Sequence, residues 1–161
     1  MFENIKAVAM DVDGVLTDGS FWWGINGEEM KRFCYPDVNG ISRARQAGIK
    51  LAIISAEPSQ SGMHLVQRFA DKMKLTDIYK GCQDKASAVR EFAQKHEVPL
   101  SDVCYIGDDL VDLPPMAIVG LAVAPADAQS AVKAKAQYIT SKNGGYGAVR
   151  ELLDAILEKR S

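Results

Sequence analysis

Short apolar runs alternate with helical patterns along the chain. The runs lack the polar–apolar alternation of a half-exposed strand, which predicts strands that are buried on both faces. Between them, apolar residues recur at helical spacing, as at Met63, Val66 and Phe69. The predicted strands cover residues 7–10, 49–54, 77–79, 103–106, 121–124 and 138–139.

Capping and turn residues predict where the other elements lie. An Asn26-Gly27 pair between apolar residues 21–23 and residues 30–35 predicts a β-hairpin, because this pair adopts the positive φ angles of a tight turn. Asp37 is expected to cap a helix that stops at Gly48. Further helices are predicted from Asp84, over residues 126–135, and after the glycine-rich segment 144–147.

This order of elements predicts an α/β fold. Strands that alternate with helices form a doubly wound parallel sheet with helices on both faces. The hairpin is an insertion after the first strand, and no cap domain is expected. A length of 161 residues predicts a single domain, 1–161. In such sheets ligands bind beyond the carboxyl ends of the strands.

Polar residues that are distant in sequence follow these predicted strand ends. Asp11, Ser55 and Asp108 each come directly after a strand, and Lys85 begins a helix that follows another. The carboxyl ends of parallel strands meet at one edge of the sheet, so these side chains should converge there.

The converging residues match the needs of phosphoryl transfer. Asp11 is the candidate nucleophile, and Asp13, past the strand end, is the candidate general acid. Asp108 adds a carboxylate for Mg²⁺, which prefers oxygen ligands. Ser55 offers a hydroxyl to a phosphate oxygen, and Lys85 neutralises phosphate and nucleophile.

Each of these residues also has a structural explanation when taken alone. Asp-x-Asp is common in turns, Ser55 suits a strand end, Lys85 a solvated helix start, and Asp108 a helix cap. A calcium-binding loop is excluded by Val15, Leu16 and Trp22 at positions that need an oxygen ligand, glycine and glutamate. The joint appearance of the candidate catalytic residues after predicted strands favours the catalytic interpretation.

Composition restricts partners and compartment. A net charge of −2 and a pI near 5.7 lack the basic footprint of nucleic-acid binding. Apolar runs are far shorter than a membrane span, and the N-terminus lacks a signal pattern, so a cytoplasmic protein is expected. Cys34, Cys82 and Cys104 show no metal-ligand spacing and are expected to be reduced thiols.

The motifs resemble those of the haloacid dehalogenase-like phosphatases along nearly the whole chain. Residues 11–19 (DVDGVLTDG) resemble the first motif, Ser55 the second, Lys85 the third and residues 107–112 (GDDLVD) the fourth. The resemblance implies an aspartyl-phosphate intermediate and Mg²⁺ as cofactor. Metal ligands would be the side chains of Asp11 and Asp108 and the backbone carbonyl of Asp13. Asp109 and Asp112 would form an outer shell that orients the site.

Within this superfamily, residues 21–35, 79–85 and 144–151 resemble a capless group that acts on phosphorylated 2-keto-3-deoxy sugar acids. The group comprises 3-deoxy-D-manno-octulosonate 8-phosphate phosphatases, which serve lipopolysaccharide precursor synthesis, and nonulosonate 9-phosphate relatives. The resemblance implies a homotetramer in which hairpins pack together and a glycine-rich C-terminal tail helps close a neighbouring site. It also implies that the following residues contact the small-molecule substrate: Asp13, Cys34, Tyr35, Pro36, Asp37, Val38, Ser42, Glu57 and Lys85.

One departure bears on the substrate. Ser55-Ala56-Glu57 stands where octulosonate enzymes typically have Thr-Gly-Arg, and a glutamate there is a feature of the nonulosonate enzymes. The octulosonate ester is the expected substrate and the nonulosonate ester the alternative. A receiver-like phosphoacceptor module is the alternative from another class. Its phosphorylated aspartate would follow a middle strand, where this chain has Ser55.

Overall fold

A parallel sheet forms the centre of the protein, which is described here over residues 1–159 from a computed structural model. A separate two-stranded antiparallel hairpin is inserted in the sequence between the first and second strands that the chain contributes to this sheet. In chain order the strands are β1 (Ala7–Met10), β2 (Trp22–Trp23), β3 (Glu29–Met30), β4 (Lys50–Ile54), β5 (Asp77–Tyr79), β6 (Val103–Ile106), β7 (Leu121–Ala124) and β8 (Tyr138–Ile139).

The strand order places β1 at the point where the chain stops adding strands on one side of the sheet and begins to add them on the other. The six-stranded sheet runs β5-β4-β1-β6-β7-β8, and all of its strand pairs are parallel. The chain builds outward from β1 through β4 to β5, then returns to the other side of β1 with β6. The crevice beyond the ends of β1 and β6 is therefore the expected ligand site.

Helices cover both faces of the sheet, as the apolar strands require. On one face Val8, Met10 and Ile53 pack among residues of the first, second and last helices, and on the other Ala9, Ile54 and Tyr105 pack against the third. The helices are α1 (Tyr35–Gln46), α2 (Gln60–Met73), α3 (Lys85–Lys95), α4 (Leu113–Met116), α5 (Ser130–Lys133) and α6 (Ala148–Glu158).

The hairpin leaves large apolar side chains in solvent. Trp22 is 50% exposed, Trp23 71% and Ile25 101%, because a two-stranded ribbon has no core of its own in which to bury them. A five-residue connection joins the strands, with Gly27 at a φ of 86°. Neighbouring exposed apolar side chains of this kind are typical of a contact surface.

The structure confirms the predicted fold class and corrects some local predictions. Asp37 does not cap α1, because the helix begins at Tyr35 after Cys34, and Asp37 lies buried inside the first turn. The helix predicted over residues 126–135 is reduced to α5, since residues 126–129 are turn and extended backbone. The cysteines are free thiols. Within residues 1–159 no helix is both long and apolar enough to span a membrane.

Candidate active site

Two strand ends bring the first pair of carboxylates together. β1 and β6 are paired in register, and the backbone N–H of Asp11 donates to the carbonyl of Ile106 at 3.1 Å. Asp11 and Asp108 therefore leave the sheet side by side. Asp11 is only 6% exposed.

The loop after β1 is shaped to let Asp108 approach closely. The carbonyl of Val12 accepts from the N–H groups of Val15, Leu16 and Thr17, which forms a tight turn. Gly14 has a φ of +84°, and a Cβ there would lie 2.0 Å from Asp108 Oδ2. Only glycine satisfies both conditions.

Lys85 lies buried between two carboxylates. Its Nζ is 2.8 Å from Asp11 Oδ1 and 2.7 Å from Asp112 Oδ1, and its side chain is 1% exposed. Burial opposes the charged form of Lys85, yet the attraction of Asp11 and Asp112 outweighs it and raises the pKa of the ammonium. The charged lysine is thus aimed at the candidate nucleophile.

Asp112 is the hydrogen-bonding centre of this arrangement. Its Oδ1 accepts from Lys85 Nζ and from Tyr105 Oη, both at 2.7 Å. Its Oδ2 accepts from the backbone N–H groups of Asp108 and Asp109 at 2.9 and 3.2 Å. Two carboxylate oxygens offer about four lone pairs. All are occupied, so Asp112 holds Lys85 and the turn in place and leaves no acceptor for a cation.

The carboxylate cluster fits a divalent cation bound by oxygen. Side-chain oxygens of Asp11, Asp108 and Asp112 lie within 4.8 Å of one another, and those of Asp11 and Asp108 are the ones available to a cation, because Asp112 is saturated by its hydrogen bonds. Burial and the nearby Asp112 raise the pKa of Asp11 well above its ordinary value, and the same causes raise that of Asp108 to about 7. Asp108 Oδ1 is buried without a hydrogen-bond partner. A cation there would satisfy this oxygen and restore the ionised carboxylates.

The outer part of the site contains a second charged group. Asp13 is 36% exposed in its side chain, and its Oδ1 accepts from Lys31 Nζ at 2.8 Å. Glu57 Oε1 accepts from the N–H of Ser59 at 2.8 Å, while its Oε2 lies 3.8 Å from Lys31 Nζ. The side chain of Ser59, and after it the backbone N–H of Ser59, lower the pKa of Glu57 by hydrogen bonding.

One cavity unites most of the predicted catalytic residues. Ser55 is buried at the end of β4, directly before lining residues, and its Oγ accepts from the N–H of Glu57 at 3.3 Å. Asp109 caps the short 3₁₀ turn that follows β6. The cavity is lined by Asp11, Asp13, Gly19, Ala56, Glu57, Lys85, Asp108, Asp109 and Val111.

The remaining predicted substrate contacts lie elsewhere. Cys34 precedes α1, and its thiol donates to the buried Asp37, which also accepts from the N–H of Arg150. Tyr35 and Val38 line a neighbouring groove rather than this cavity. Ser42 is in the middle of α1, where its Oγ accepts from Gln46. Together with Pro36 at the start of α1, these residues do not line the cavity within one subunit.

The glycine-rich segment is part of the subunit's own framework. The N–H of Gly145 donates to the carbonyl of Val15 at 2.9 Å, and a Cβ at Gly144 would lie 1.8 Å from the carbonyl oxygen of Gly14. The segment leads into α6, whose Leu152 is buried in the core. Within one subunit the segment therefore packs on the loop after β1 of its own chain, and its contribution to a neighbouring site stays a prediction.

Sequence reasoning missed Lys31 and Tyr105 as neighbours of the site. Lys31 stands in the charged run 28–32, which is typical of a solvated surface, and Tyr105 lies inside an apolar strand. Only the position of Lys31 directly after the hairpin could have indicated that it returns towards the loop after β1.

Comparisons with known proteins agree with this geometry. A model of the haloacid dehalogenase-like hydrolase family matches residues 49–153. The 3-deoxy-D-manno-octulosonate 8-phosphate phosphatase of Escherichia coli (strain K12) is 41% identical over 155 residues, which cover 96% of this chain and 80% of the relative.

Solved structures extend the likeness to the whole fold. The crystal structure of the Yersinia pestis 3-deoxy-D-manno-octulosonate 8-phosphate phosphatase has a TM-score of 0.93 and 40% identity, covering 99% of this chain and 84% of that one. The crystal structure of the Moraxella catarrhalis 3-deoxy-D-manno-octulosonate 8-phosphate phosphatase, solved in complex with a magnesium ion, a phosphate ion and a KDO molecule, has a TM-score of 0.92 and 37% identity, covering 99% of this chain and 89% of that one.

The strand-end carboxylates, the buried lysine that contacts Asp11 and Asp112, and these similarities lead to one assignment. The chain belongs to the haloacid dehalogenase-like hydrolase family.

Proposed function

We propose that this protein is a Mg²⁺-dependent phosphatase that hydrolyses 3-deoxy-D-manno-octulosonate 8-phosphate. The observation that carries the proposal is the buried Lys85, which contacts Asp11 at 2.8 Å beside the carboxylate of Asp108. A nucleophile, a cation for its charge and a metal-binding carboxylate then share one cavity. Relatives that are about 40% identical carry this activity in their names.

In the proposed reaction, Asp11 attacks phosphorus and the bond from phosphorus to the sugar oxygen breaks. Asp13 donates its proton to that oxygen, which leaves as the sugar alcohol. Asp13 then accepts a proton from the water that attacks the aspartyl-phosphate, which releases inorganic phosphate and regenerates Asp11. Lys85 remains charged throughout and offsets the negative charge on Asp11 and the phosphoryl oxygens.

Asp11 and Asp108 would hold the magnesium ion through their side chains. When bound, the ion supplies positive charge to the phosphate oxygens. In support, the carbonyl of Asp13 accepts no backbone hydrogen bond within residues 1–159, so it is free to serve as a further ligand. Asp109 and Asp112 would orient the loop that carries Asp108.

The proposal is tested by comparing kcat/KM for octulosonate 8-phosphate and nonulosonate 9-phosphate, each with Mg²⁺ and with EDTA. We expect the octulosonate ester to be preferred and both reactions to stop in EDTA. A receiver-like module would accept phosphate once and release it slowly, without multiple turnovers. Preference for the nonulosonate ester would reassign the substrate but keep the chemistry.

Asp13→Asn should slow hydrolysis of alkyl phosphates more than that of aryl phosphates. A general acid contributes about 10²–10⁴-fold, and a phenolate leaving group needs it less than an alkoxide does. The measurement is kcat/KM for a pair of esters with different leaving groups. Equal losses on both esters would remove Asp13 from the role of acid.

Glu57→Arg should shift the kcat/KM ratio towards the octulosonate ester by about tenfold, or about 1.4 kcal/mol. Glu57 lines the cavity, where its carboxylate repels an anionic sugar acid and an arginine could bind it through two hydrogen bonds. The matched control is Glu57→Gln, which keeps an acceptor for the N–H of Ser59 while removing the charge. A ratio unchanged in both variants would leave Glu57 as a local cap only.

A cytoplasmic homotetramer is also proposed. The exposed Trp22, Trp23 and Ile25 of the hairpin supply an apolar surface suited to subunit contact. Residues near the start of α1, which do not line the cavity of their own subunit, would then face substrate in the assembled enzyme. The free cysteines are in keeping with a reducing compartment. Sedimentation of the protein as a monomer would contradict the assembly.

A further inference from the structure

Lys31 is a buried cation at the rim of the catalytic cavity. Its side chain is 3% exposed, and its Nζ faces the carboxylates of Asp13, Glu57 and Glu29. Removing an ammonium group from water costs several kcal/mol unless close partners compensate. Lys31 lines the neighbouring groove beside Phe33 and is not part of the lining of the catalytic cavity, where its partners Asp13 and Glu57 lie.

The distances distinguish the direct partner of the Lys31 ammonium from two more distant carboxylates. Nζ to Asp13 Oδ1 is 2.8 Å, the length of a charged hydrogen bond. Nζ to Glu57 Oε2 is 3.8 Å and to Glu29 Oε1 is 4.0 Å, both too long for hydrogen bonds. Asp13 is thus the group that Lys31 holds directly, while the glutamates supply a surrounding negative charge.

Asp13 depends on this contact for its orientation. In the part of the chain described, Lys31 provides the hydrogen bond to the Asp13 carboxylate, whose side chain is otherwise 36% exposed to the cavity. The backbone turn fixes the Cα of Asp13, but the carboxylate could rotate between staggered positions without a partner. A proton donor must lie within hydrogen-bond reach of the leaving oxygen.

Residues of the hairpin face Lys31 from its other side. Glu29 lies at the start of β3, and its Oε1 is buried without a hydrogen-bond partner while facing Lys31 at 4.0 Å. Its Oε2 accepts from Trp23 Nε1 at 3.0 Å. Two hydrogen bonds, from Trp23 to Glu29 and from Lys31 to Asp13, are thus linked by the 4.0 Å ion pair between Glu29 and Lys31.

We propose that Lys31 is the positioning residue for Asp13, supplied by the hairpin to hold the proton-transferring carboxylate in its productive orientation. The proposal rests on the proposed role of Asp13 in phosphate-ester hydrolysis. It assigns a catalytic consequence to the hairpin within a single subunit, through a side chain that does not line the catalytic cavity.

The test is a double-mutant cycle between Lys31→Met and Asp13→Asn, measured as kcat/KM on an alkyl phosphate. Alone, Lys31→Met should lower kcat/KM by about 10–100-fold, since a displacement of about 1 Å in a catalytic group can cost a hundredfold. In the Asp13→Asn background it should change kcat/KM by less than about twofold, because groups that act as a unit are not additive. On an aryl phosphate the loss from Lys31→Met should be smaller.

The matched control is Lys6→Met. Lys6 also forms a 2.8 Å ion pair, with Asp102, but precedes β1 at the far edge of the sheet, so activity should not change. If Lys31→Met does not fold, as judged by circular dichroism, Lys31→Arg replaces it in the same cycle, since it keeps the charge but moves the donors.

Two results would overturn the proposal. One is an equal loss in both backgrounds, which indicates a structural role, and the other is an equal loss on alkyl and aryl esters. A different natural sugar would leave this test intact, because the cycle needs only an ester with a poor leaving group. If Asp13→Asn itself had no effect, the proposed role of Asp13 would fail first.

Discussion

Asp11→Asn should abolish turnover, with kcat lowered by at least about 10⁴-fold, as is usual when one member of a cooperating catalytic set is lost. The amide keeps the shape of the carboxylate but cannot attack phosphorus. It also removes one of the clustered carboxylates that fit a cation. The measurement is release of inorganic phosphate from the sugar phosphate and from an aryl phosphate, and both should fall together.

The same variant should lose activity without losing stability. Burial and Asp112 raise the pKa of Asp11, so ionising this carboxyl group costs more free energy in the folded protein than in the unfolded chain. A neutral isostere should therefore leave the free energy of unfolding in EDTA unchanged or higher. Retention of even a tenth of wild-type kcat would rule out Asp11 as the nucleophile, and a stability loss in EDTA would contradict the electrostatic account.

Lys85→Met should lower kcat by about 10²–10³-fold, the usual cost of removing one fixed charge-stabilising group. Methionine has a similar length but no charge, so Asp11 and Asp112 lose the cation that lies 2.8 and 2.7 Å away. Removing one partner of a buried pair typically destabilises by about 3–5 kcal/mol. Denaturant unfolding in EDTA should show this loss, and Mg²⁺ should recover part of it.

Lys95→Met is the matched control on the same helix. Lys95 ends α3, and its side chain is 54% exposed. Its Nζ lies 2.6 Å from Asp77 Oδ1, and neither residue lines the catalytic cavity. We expect wild-type kcat and a smaller loss of stability than for Lys85→Met, because Lys95 is half-exposed and the buried Asp77 keeps His96 as a partner at 2.8 Å. If both lysine variants lowered kcat equally, the effect would come from α3 and not from the charge at Lys85.

Local patterns determined much of the fold and the inner site. Asp11, Ser55 and Asp108 were found because apolar runs mark strands, and strands in a parallel sheet share one carboxyl edge. What the sequence could not give are contacts made by side chains that cross between elements. Lys31 reaches Asp13 only after the hairpin folds back, and neither residue type nor spacing records that distance.

Errors at the level of single elements have similar causes. Asp37 has the residue type of a cap, but its carboxylate is used in the core, where it accepts from Cys34 and from the N–H of Arg150. Tertiary partners overrode local preference there. By resemblance Asp112 is predicted to lie outside the metal ligands. Its saturation by Lys85, Tyr105 and backbone donors, which supports that prediction, is visible only in three dimensions.

The contact of Gly144 and Gly145 with the catalytic loop affects when the enzyme can first work during its synthesis. The carbonyl of Val15 gains its partner from Gly145, and α6 then covers the core next to α1. A nascent chain that has left the ribosome only as far as β8 already contains the predicted nucleophile, acid and lysine. It still lacks the backbone that supports the loop around Gly14. We therefore expect competence for phosphate chemistry only after residues 144–145 have joined the loop, later than completion of the sheet.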